Sequence, residues 1–523
     1  MSASRSFVLS IGLLVGLRPA VCAAAEAIAG PEEVLNFRLL DHRGRAHELR
    51  RIEGRAVVLF FTANGCPVVR QSMGKLKALQ ADYQPRGVRF LLVNANSGDD
   101  RAAIRKEMYE LDAWQLPVLK DETQGLARHL GVKRTAETIA VSTRDWRIFY
   151  RGAVDDQLAE GAQKPKAGAH YLREALEAFL ADRPVTRPTT VTRGCVIHYE
   201  APARWKDREV SYSTEVAPLL AAKCVSCHSK GNVGSWSMNG YARVKGMSAM
   251  IQETLLTRRM PPWDADPVVG RFANDCSLTT LEAQTLLRWI EQGAPRGEGP
   301  DPLEDLAVPP QPDWPLGEPD IILKFPRPQK IPATGVLDYR HVEVRAGNEK
   351  EGWVGATYIR PGNRRVVHHV IARLKEGGVR DHFGMPEMYC GWAPGTTQTR
   401  LPEGTGKFLP RQARFDVEVH YTTCGAEQTD DTQIGLYLLR DRPKQRFESV
   451  PLANLEFEIA PGAASTEVFA TYCLPRPAVL HALTPHMHLR GRWMKFELLL
   501  PDGKRETVAS IPHFDFNWQR SYV

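Results

Sequence analysis

The chain has 523 residues, of which 25% are charged and 43% hydrophobic, and its formal net charge is +7. A chain of this length is too long to fold around a single hydrophobic core, so we expect about three domains. An excess of +7 over 523 residues is weak and gives no reason to expect nucleic-acid binding.

The first 25 residues predict export. They contain a basic residue, an apolar stretch and small residues at an Ala-x-Ala cleavage site near Ala25, which is the pattern of a secretory signal. The apolar stretch is too short to span a bilayer comfortably, and no later run is long enough. We therefore expect a periplasmic or secreted protein with no stable membrane insertion, and a retained membrane anchor is the alternative. Cys22 lacks the preceding small residue that a lipoprotein signal needs.

Strand-like and helix-like runs alternate between residues 30 and 182, which predicts an α/β sandwich. Cys66 follows the first buried strand and stands at the start of a helix, where the helix dipole lowers the pKa of a thiol and favours the thiolate. The predicted elements are strands at 56–63 and 88–96, helices at 68–83 and 101–113, two strands within 137–152 and a closing helix at 171–184.

The stretch FFTANGCPVVRQ around Cys66 resembles the redoxin and thioredoxin-like family, which implies a thioredoxin-like fold for residues 30–182. Three positions depart from that family. Dithiol enzymes have a second cysteine where this chain has Val69, peroxiredoxins have a threonine where it has Ala63, and the family usually has a cis-proline where it has Ala136. We therefore expect a scaffold or docking domain, with single-thiol redox chemistry at Cys66 as the alternative.

A joint rich in Pro, Thr and Arg spans 183–210, and a helical segment follows at 211–298. In that segment, KCVSCHSK places Cys224, Cys227 and His228 in the C-x-x-C-H arrangement. This spacing lets two thiols form thioethers to a porphyrin while the adjacent imidazole ligates iron, so we predict covalently bound c-type haem. A disulfide and half of a zinc site are the alternatives, although zinc would need a second pair of ligands nearby and the sequence offers none.

The sixth haem ligand is predicted to be Met260, which lies in the Pro-stiffened loop TRRMPPW. A thioether opposite His228 would raise the haem potential. Met238, Met247 and Met250 compete for this role, and a methionine is often only core filler. The segment ends in LTTLEAQTLLRWIEQGAP, with a Thr start signal and a Gly stop. It resembles a small, all-α bacterial cytochrome c domain, which implies one-electron transfer.

A Pro-rich linker at 299–318 leads into short β-rich runs, which predict β-sandwich architecture from residue 319 onward. Nine of the 15 histidines lie at or after position 341. His368 and His369 are adjacent in the strand-like run RRVVHHVIARL. Adjacent strand side chains point to opposite faces, so both rings reach one metal ion only if the strand is twisted or bulged there.

Three more histidines complete the candidate metal ligands. His420, in DVEVHYTT, would give a three-imidazole site together with the adjacent pair. His486 and His488, in LTPHMHLRG, are two residues apart, so they share one face of a predicted strand while Met487 points away. Imidazole suits copper, zinc or iron, so the spacing alone does not choose the metal.

The motifs RPGNRRVVHHVIARL, GWAPGTTQTRLPEGTGKFLPRQARFDVEVHYTT and LTPHMHLRG occur in this order and resemble the copper type II, ascorbate-dependent monooxygenases. That group includes peptidylglycine α-hydroxylating monooxygenase and dopamine β-monooxygenase. The resemblance implies two all-β sandwiches, at 319–450 and 451–523, each holding one copper across a solvent gap.

The resemblance also implies a role for each histidine. His368, His369 and His420 would bind the electron-storing copper, while His486 and His488 would bind the copper at which oxygen is activated and a substrate C–H bond is broken. In the family, a methionine well downstream is the third ligand of the second copper.

That third ligand is missing from the sequence. Met494 is the last methionine and lies too close behind the His-x-His pair to replace it. We therefore read the chain as C-terminally incomplete, with the second sandwich truncated. We expect one tightly bound copper and one weakly bound copper.

The remaining cysteines give candidate disulfides, whose connectivity spacing does not determine. One candidate pair is Cys390 with Cys424, within the copper domain, and another is Cys195 with Cys276, around the haem domain. Cys473 resembles a family cysteine whose partner lies further downstream.

Together, these patterns favour an exported oxidoreductase that contains copper and haem. The leading hypothesis is an O2-dependent monooxygenase that hydroxylates a C–H bond of a small molecule or peptide. Its electrons would come from an ascorbate-like donor or another redox protein, through copper and c-type haem. One alternative is a copper- and haem-binding electron-transfer protein without turnover. Another is a thiol–disulfide or peroxide oxidoreductase that acts through Cys66.

Overall fold

The computed structural model describes most of the chain, and the predicted export signal lies outside the described residues. No helix in the described part is long and apolar enough to cross a membrane. The described residues are 30–159, 162–200, 205–230, 234–304, 306, 312–378, 380, 384–393 and 399–523.

The N-terminal part is an α/β domain built on a seven-stranded mixed sheet. Its strands are β1 (Arg38–Asp41), β2 (Ala46–Glu48), β3 (Ala56–Thr62), β4 (Val88–Asn94), β5 (Val118–Lys120), β6 (Thr138–Ser142) and β7 (Ile148–Gly152). Its helices are α1 (Pro67–Tyr83), α2 (Arg101–Glu110), α3 (Gly125–His129) and α4 (Tyr171–Leu180), and β8 (Leu158–Ala159) pairs with β9 (Ala162–Gln163) as a small ribbon.

The strand order in this sheet is β2-β1-β5-β4-β3-β6-β7, with β3 and β4 parallel at its centre. Every residue of β3 is buried, because a central strand is covered on both faces. The strands and helices predicted for this segment are confirmed to within a few residues at their ends. The short elements β1, β2, β5 and α3 were not predicted, since runs of three to five residues are too short to show a clear periodicity.

Part of the predicted joint at 183–210 lies against the α/β domain. Residues 188–199, here called the strap, are hydrogen-bonded along the α/β domain. The strap pairs beside the edge strand β7, because Arg151 donates its N–H to the carbonyl of Pro188 at 2.8 Å and accepts from the N–H of Thr190 at 3.0 Å. Further along, the N–H of Ile197 donates to the carbonyl of Lys133 at 3.1 Å.

The middle part is helical, as predicted. It contains a π-helical turn (Tyr212–Val216) followed by α5 (Ala217–Lys223), α6 (Tyr241–Gly246), α7 (Ser248–Leu256) and α8 (Thr280–Glu291).

Both end signals of the last predicted helix are confirmed. Thr279 and Glu282 form a capping box at the start of α8, and Gly293, with φ of +83°, follows its end. This segment packs on α3, where Leu256 and Leu287 join the core of the α/β domain.

The part predicted as the first β-sandwich has two sheets around one core. One sheet contains β10 (Ile321–Lys324), β13 (Gly352–Arg360), β16 (Thr399–Arg400), β17 (Thr405–Leu409), β20 (Gln433–Leu438) and β21 (Gln445–Arg446). The other contains β12 (Arg340–Arg345), β14 (Val367–Leu374), β15 (Met388–Trp392) and β18 (Arg414–Tyr421), and a ribbon pairs β11 (Gln329–Ile331) with β19 (Gln428–Asp430). Buried residues of both sheets share the core, including Val354 and Ile359 from one and Val370 and Phe415 from the other.

The second predicted sandwich is not formed by the described residues 451–523. Their only strands are β22 (Met494–Leu499) and β23 (Arg505–Ile511), which pair as a hairpin. Large apolar side chains before the hairpin remain in solvent, with Phe469 73% exposed, so this stretch has no second layer to pack against. The hairpin instead packs on Trp263 and Ala265 of the helical segment.

Buried ion pairs join these parts. Arg101 of α2 pairs with Asp266 of the helical segment, and both side chains are buried. Arg38 of β1 contacts Asp264 at 3.3 Å and also contacts His513 beyond the C-terminal hairpin. The α/β domain, the helical segment and the hairpin therefore meet at one junction.

Candidate functional site

The first candidate site is formed by Cys66 and lies where the sequence predicted it. Cys66 is the residue immediately before α1, in the short turn that follows β3. Pro67 is well suited to the first helical position, because the N–H that proline lacks would have no helical partner there. The cysteine is only 3% exposed, so its thiol lies below the surface.

The strap brings a second thiol to this site. The Sγ atom of Cys195 lies 2.9 Å from the Sγ atom of Cys66, although the two residues are 129 positions apart. Cys195 is exposed, whereas Cys66 is buried. The predicted pairing of Cys195 with Cys276 was therefore wrong, because Cys276 instead packs with Trp263 in the cluster under the C-terminal hairpin.

Thr135 connects the two cysteines. Its hydroxyl lies 3.1 Å from the sulfur of Cys66 and accepts a hydrogen bond of 2.9 Å from the backbone N–H of Cys195. Ala136, in the position where the family usually has a cis-proline, has φ of +60° and donates its N–H to the carbonyl of Phe61 at 2.7 Å. The loop between α3 and β6 therefore holds the strap beside the thiol.

The two thiols differ in acidity. Burial raises the pKa of Cys66, but hydrogen bonds from Cys195, Thr135 and the N–H of Val69 outweigh that effect, so the pKa is lowered from its ordinary value. The pKa of Cys195 is raised by burial and by its contact with Cys66. Cys66 is thus the sulfur that ionises first, and the shared proton stays on Cys195.

The sequence did not reveal Cys195 as a partner for Cys66. Dithiol enzymes have their second cysteine three residues after the first, and this chain has Val69 there. The structure shows Val69 buried in the domain core and supplies the thiol from outside the predicted domain. Nothing in the surrounding stretch TRGCVIHYE indicated this pairing.

The haem motif begins where α5 ends. Cys224 directly follows α5, and burial raises the pKa of its thiol to about 12. The Nδ1 atom of His228 lies 3.1 Å from the carbonyl oxygen of Trp236, whose ring also packs against the imidazole. Ligating histidines usually hold their second ring nitrogen in this way, which leaves Nε2 for the metal. The residues present therefore fit a haem whose iron is held by His228.

The candidate methionines lie in different surroundings. Met260 is half-buried in the loop after α7. Met238 is buried in the core of the helical segment, and its N–H donates to the carbonyl of His228 at 2.8 Å. Met247 packs against the same core, and Met250 is 52% exposed. The methionine ligand stays a prediction.

The paired histidines lie at an irregularity of β14. His369 is directly opposite His420 of β18, and the strand register shifts between Val367 and His369. The bulge that the sequence required is therefore present, and it turns both rings to one side. One ring nitrogen from each of His368, His369 and His420 lies within 4.8 Å of the others.

The last two histidines do not form a separate site in this structure. His486 and His488 lie in an irregular stretch, not in the strand that was predicted. The ring of His486 is 6.1 Å from that of His369, and Tyr339 stacks between the rings of His420 and His488 at 4.7 and 5.8 Å. The expected solvent gap between two copper sites is absent from the described residues, because the second sandwich that would create it is not formed.

Burial favours the neutral form of four of the imidazoles, those of His368, His369, His420 and His486. It lowers the pKa of His369 to about 3 and that of His420 to about 4, with neighbouring histidines adding to the effect. Burial also lowers the pKa of His368 and His486. A neutral imidazole is the form that binds a metal, so the cluster is ready to ligate near neutral pH.

The other predicted disulfide is not formed. Cys390 and Cys424 are both free thiols in the described sandwich. Cys390 is buried, and burial raises the pKa of its thiol to about 12. The sulfur of Cys424 lies 3.7 Å from the carbonyl oxygen of Ala426. Cys473 is exposed.

Comparison with known proteins identifies the first domain. Residues 31–151 match the AhpC/TSA family. The thiol-disulfide oxidoreductase ResA of Halalkalibacterium halodurans is 27% identical over 130 residues, which covers 25% of this chain and 72% of that protein. The chain therefore carries a thioredoxin-like redoxin domain, which is the α/β domain described above.

Some solved structures are similar to part of this chain. An uncharacterized conserved protein from Geobacillus kaustophilus is 28% identical and covers 34% of this chain and 96% of its own, with a TM-score of 0.30. The peroxidoxin BcpB of Mycobacterium tuberculosis is 19% identical and covers 29% of this chain and 97% of its own, with a TM-score of 0.23.

Proposed function

We propose that this chain is a thiol–disulfide oxidoreductase whose redox pair is Cys66 and Cys195. The observation that carries the proposal is the 2.9 Å separation of the two sulfurs. The likeness of the redoxin domain to ResA supports the same chemistry. Of the functions predicted from the sequence, thiol chemistry was an alternative, and it is the function that the geometry supports best.

The proposed reaction moves two electrons. Oxidation of the pair removes two electrons and two protons and joins the sulfurs of Cys66 and Cys195. Reduction by two external thiols restores both protein thiols and yields an external disulfide. The lower pKa of Cys66 makes it the better leaving group of the pair, because thiol–disulfide exchange is faster when the departing thiol is more acidic.

Peptide mapping tests this proposal. Protein treated with a mild oxidant and then with an alkylating agent should yield one peptide pair linked through Cys66 and Cys195. The Cys195→Ser variant should lose that link, and Cys276→Ser, which changes a cysteine outside the site, should keep it. An oxidised protein in which Cys66 is still fully alkylated would contradict the proposal.

We further propose that Cys224 and Cys227 attach a haem covalently and that His228 ligates its iron, with Met260 as the sixth ligand. The hydrogen bond from His228 to Trp236 supports this assignment. When bound, haem supplies reversible one-electron transfer. Protein matured by a cytochrome c assembly system should keep its haem through acid–acetone extraction, and freely extracted haem would contradict the covalent link.

A second candidate function is copper-dependent monooxygenation. It is favoured by the grouping of His368, His369 and His420, whose ring nitrogens fit one ion. When bound, copper supplies electron storage and oxygen activation. The partners of this reaction would be O2, an electron donor and a small-molecule or peptide substrate. Substrate-dependent oxygen uptake by copper-loaded protein tests it, and uptake that is equal in His420→Ala would refute it.

We also propose export to the periplasm or the cell exterior, on the signal pattern of residues 1–25. An oxidising compartment would favour the disulfide form of the pair. Fractionation of cells that produce the full chain tests this location, and retention in the cytosol would contradict it.

A further inference from the structure

The two sulfurs of the redox pair differ in access. Cys66 is 3% exposed, whereas Cys195 is exposed to solvent. Among the residues that cover Cys66 is Thr135, which is itself fully buried. A bulky reactant that arrives from outside therefore meets Cys195 first.

The strap pairs, like an added strand, with the loop between α3 and β6 that contacts Cys66. Arg134 and Val196 form an antiparallel bridge, and the N–H of Thr135 donates to the carbonyl of Cys195 at 2.9 Å. The guanidinium of Arg134 also donates to the carbonyl of Gly194 at 2.8 Å. These bonds occupy the backbone groups beside Cys66, so an external peptide cannot pair there unless the strap leaves.

The strap approaches the loop between α3 and β6 so closely at Gly194 that no side chain would fit there. A Cβ atom added to Gly194 would lie 1.9 Å from the carbonyl oxygen of Thr135. Glycine therefore permits the approach that brings Cys195 to its partner. The strap is fitted to this site by shape and by hydrogen bonds.

We propose that external thiols enter and leave the redox pair at Cys195, and that Cys66 serves as the internal leaving group. This proposal rests on the proposed function and names its partner as a thiol that attacks from the solvent side. It differs from the alternative raised by the sequence, in which Cys66 is the thiol that acts.

The reducing half-reaction is balanced. The external thiolate attacks Sγ of Cys195, a sulfur–sulfur bond forms between them, and the Cys66–Cys195 bond breaks with its electron pair leaving on Cys66. A second external thiolate attacks the external sulfur of the mixed disulfide, which releases the Cys195 thiolate and an external disulfide. The released thiolate takes its proton from water.

Thr135 assists the departure of Cys66. Its oxygen accepts the N–H of Cys195, so its single hydroxyl proton is free to point at the sulfur 3.1 Å away. A thiolate has no proton of its own, so Thr135 must be the donor in that contact. The hydroxyl thus stabilises the charge that appears on Cys66 when the disulfide opens.

The test combines mixed-disulfide mapping with thiol reactivity. Oxidised protein is treated briefly with glutathione, quenched with acid and digested, and the adduct is located by mass spectrometry. We expect the glutathione on the peptide that contains Cys195. An adduct mainly on the Cys66 peptide would overturn the proposal.

Two variants that each remove one cysteine of the pair keep the proposal testable without the native disulfide, and the labelled peptide is identified by mass spectrometry because the other cysteines remain. Cys195 in the Cys66→Ser protein should react with 5,5′-dithiobis(2-nitrobenzoic acid) at least about tenfold faster than Cys66 in the Cys195→Ser protein, because access controls the rate. The reverse order would overturn entry at Cys195. Absence of a Cys66–Cys195 link in oxidised protein would instead overturn the proposed function, so the two failures are distinguishable.

Discussion

At the thiol site the two neighbouring cysteines come from positions 129 residues apart, one in the redoxin domain and one in the strap, whereas in the β-sandwich the three clustered imidazoles come from two hydrogen-bonded strands. The strap that carries Cys195 is held by a few backbone bonds and one glycine contact. The strands that carry the histidines belong to a four-stranded sheet with a large shared core. The thiol site therefore depends on one docked segment, and the imidazole site depends on the sheet itself.

This difference has a consequence for each site. A docked segment can move when a bond to it is made or broken, which suits a pair of sulfurs that must open to exchange. A pair of strands holds its side chains at a constant spacing, which suits the ligation of a metal ion. Substitutions that change these supports should therefore affect the two sites differently.

The largest expected effect is on copper binding. His420→Ala removes one of the three clustered imidazoles and should weaken copper binding by more than about 100-fold, since loss of outer-shell partners alone costs about 10- to 100-fold. Competition with a chelator measures the affinity. His341→Ala, on the neighbouring strand β12 and exposed to solvent, is the matched control. Equal affinities in the two variants would show that the cluster is not the copper site.

The copper stoichiometry is a second test of the histidine cluster. The sequence predicted one tight and one weak copper, and the structure places His486 and His488 beside the first three histidines. We expect the purified chain to keep about one copper after dialysis, because the five imidazoles lie in one cluster. Two equally tight ions would contradict this expectation. His486→Ala should leave the tight ion in place.

The second largest effect concerns the junction between the parts. Asp266→Asn leaves the buried guanidinium of Arg101 without its charge partner, and removing one member of a buried pair costs about 3 to 5 kcal/mol. Thermal or urea unfolding should show this loss in the free energy of unfolding. Asp275→Asn, in the same segment, is the control. A loss below about 1 kcal/mol, the range of exposed pairs, would mean that the junction contributes little.

A smaller effect is expected at the strap. Gly194→Ala should push the strap away from Thr135 and slow disulfide formation on the order of tenfold, because a shift of about 1 Å in reacting groups can cost up to about 100-fold. The rate is followed by peptide mapping at timed intervals. Gly74→Ala is the control, since a Cβ atom there meets no atom within 4 Å. Unchanged kinetics in Gly194→Ala would show that the close approach is not needed.

The smallest effect is on the acidity of Cys66. Hydrogen bonds, one of them from Thr135, lower the pKa of this thiol, so its thiolate forms at a lower pH than that of an ordinary cysteine. Thr135→Val removes the donor and should move the pH profile of iodoacetamide alkylation to higher pH, measured in the Cys195→Ser background. Thr135→Ser keeps the hydroxyl and should restore the profile. Identical profiles in all three proteins would exclude the hydroxyl as a donor.

Local patterns in the sequence determine much of the fold. The apolar run that forms β3, the helix that follows Cys66 and the capping signals of α8 depend on residues close together in the chain, and all were predicted. The need for a bulge at His368 and His369 also followed from strand geometry, because adjacent side chains otherwise diverge. The C-x-x-C-H spacing is local in the same way.

Only the tertiary structure decided which distant segments meet. No pattern in TRGCVIHYE shows that Cys195 docks beside Cys66, since that contact depends on a glycine fitting against the carbonyl of Thr135. The place of His486 likewise depends on how residues 451–523 pack, and the hairpin within them packs against Trp263. Periodicity reports which face of a segment is buried, but the partner of that face is chosen by shape and hydrogen bonding across the whole chain.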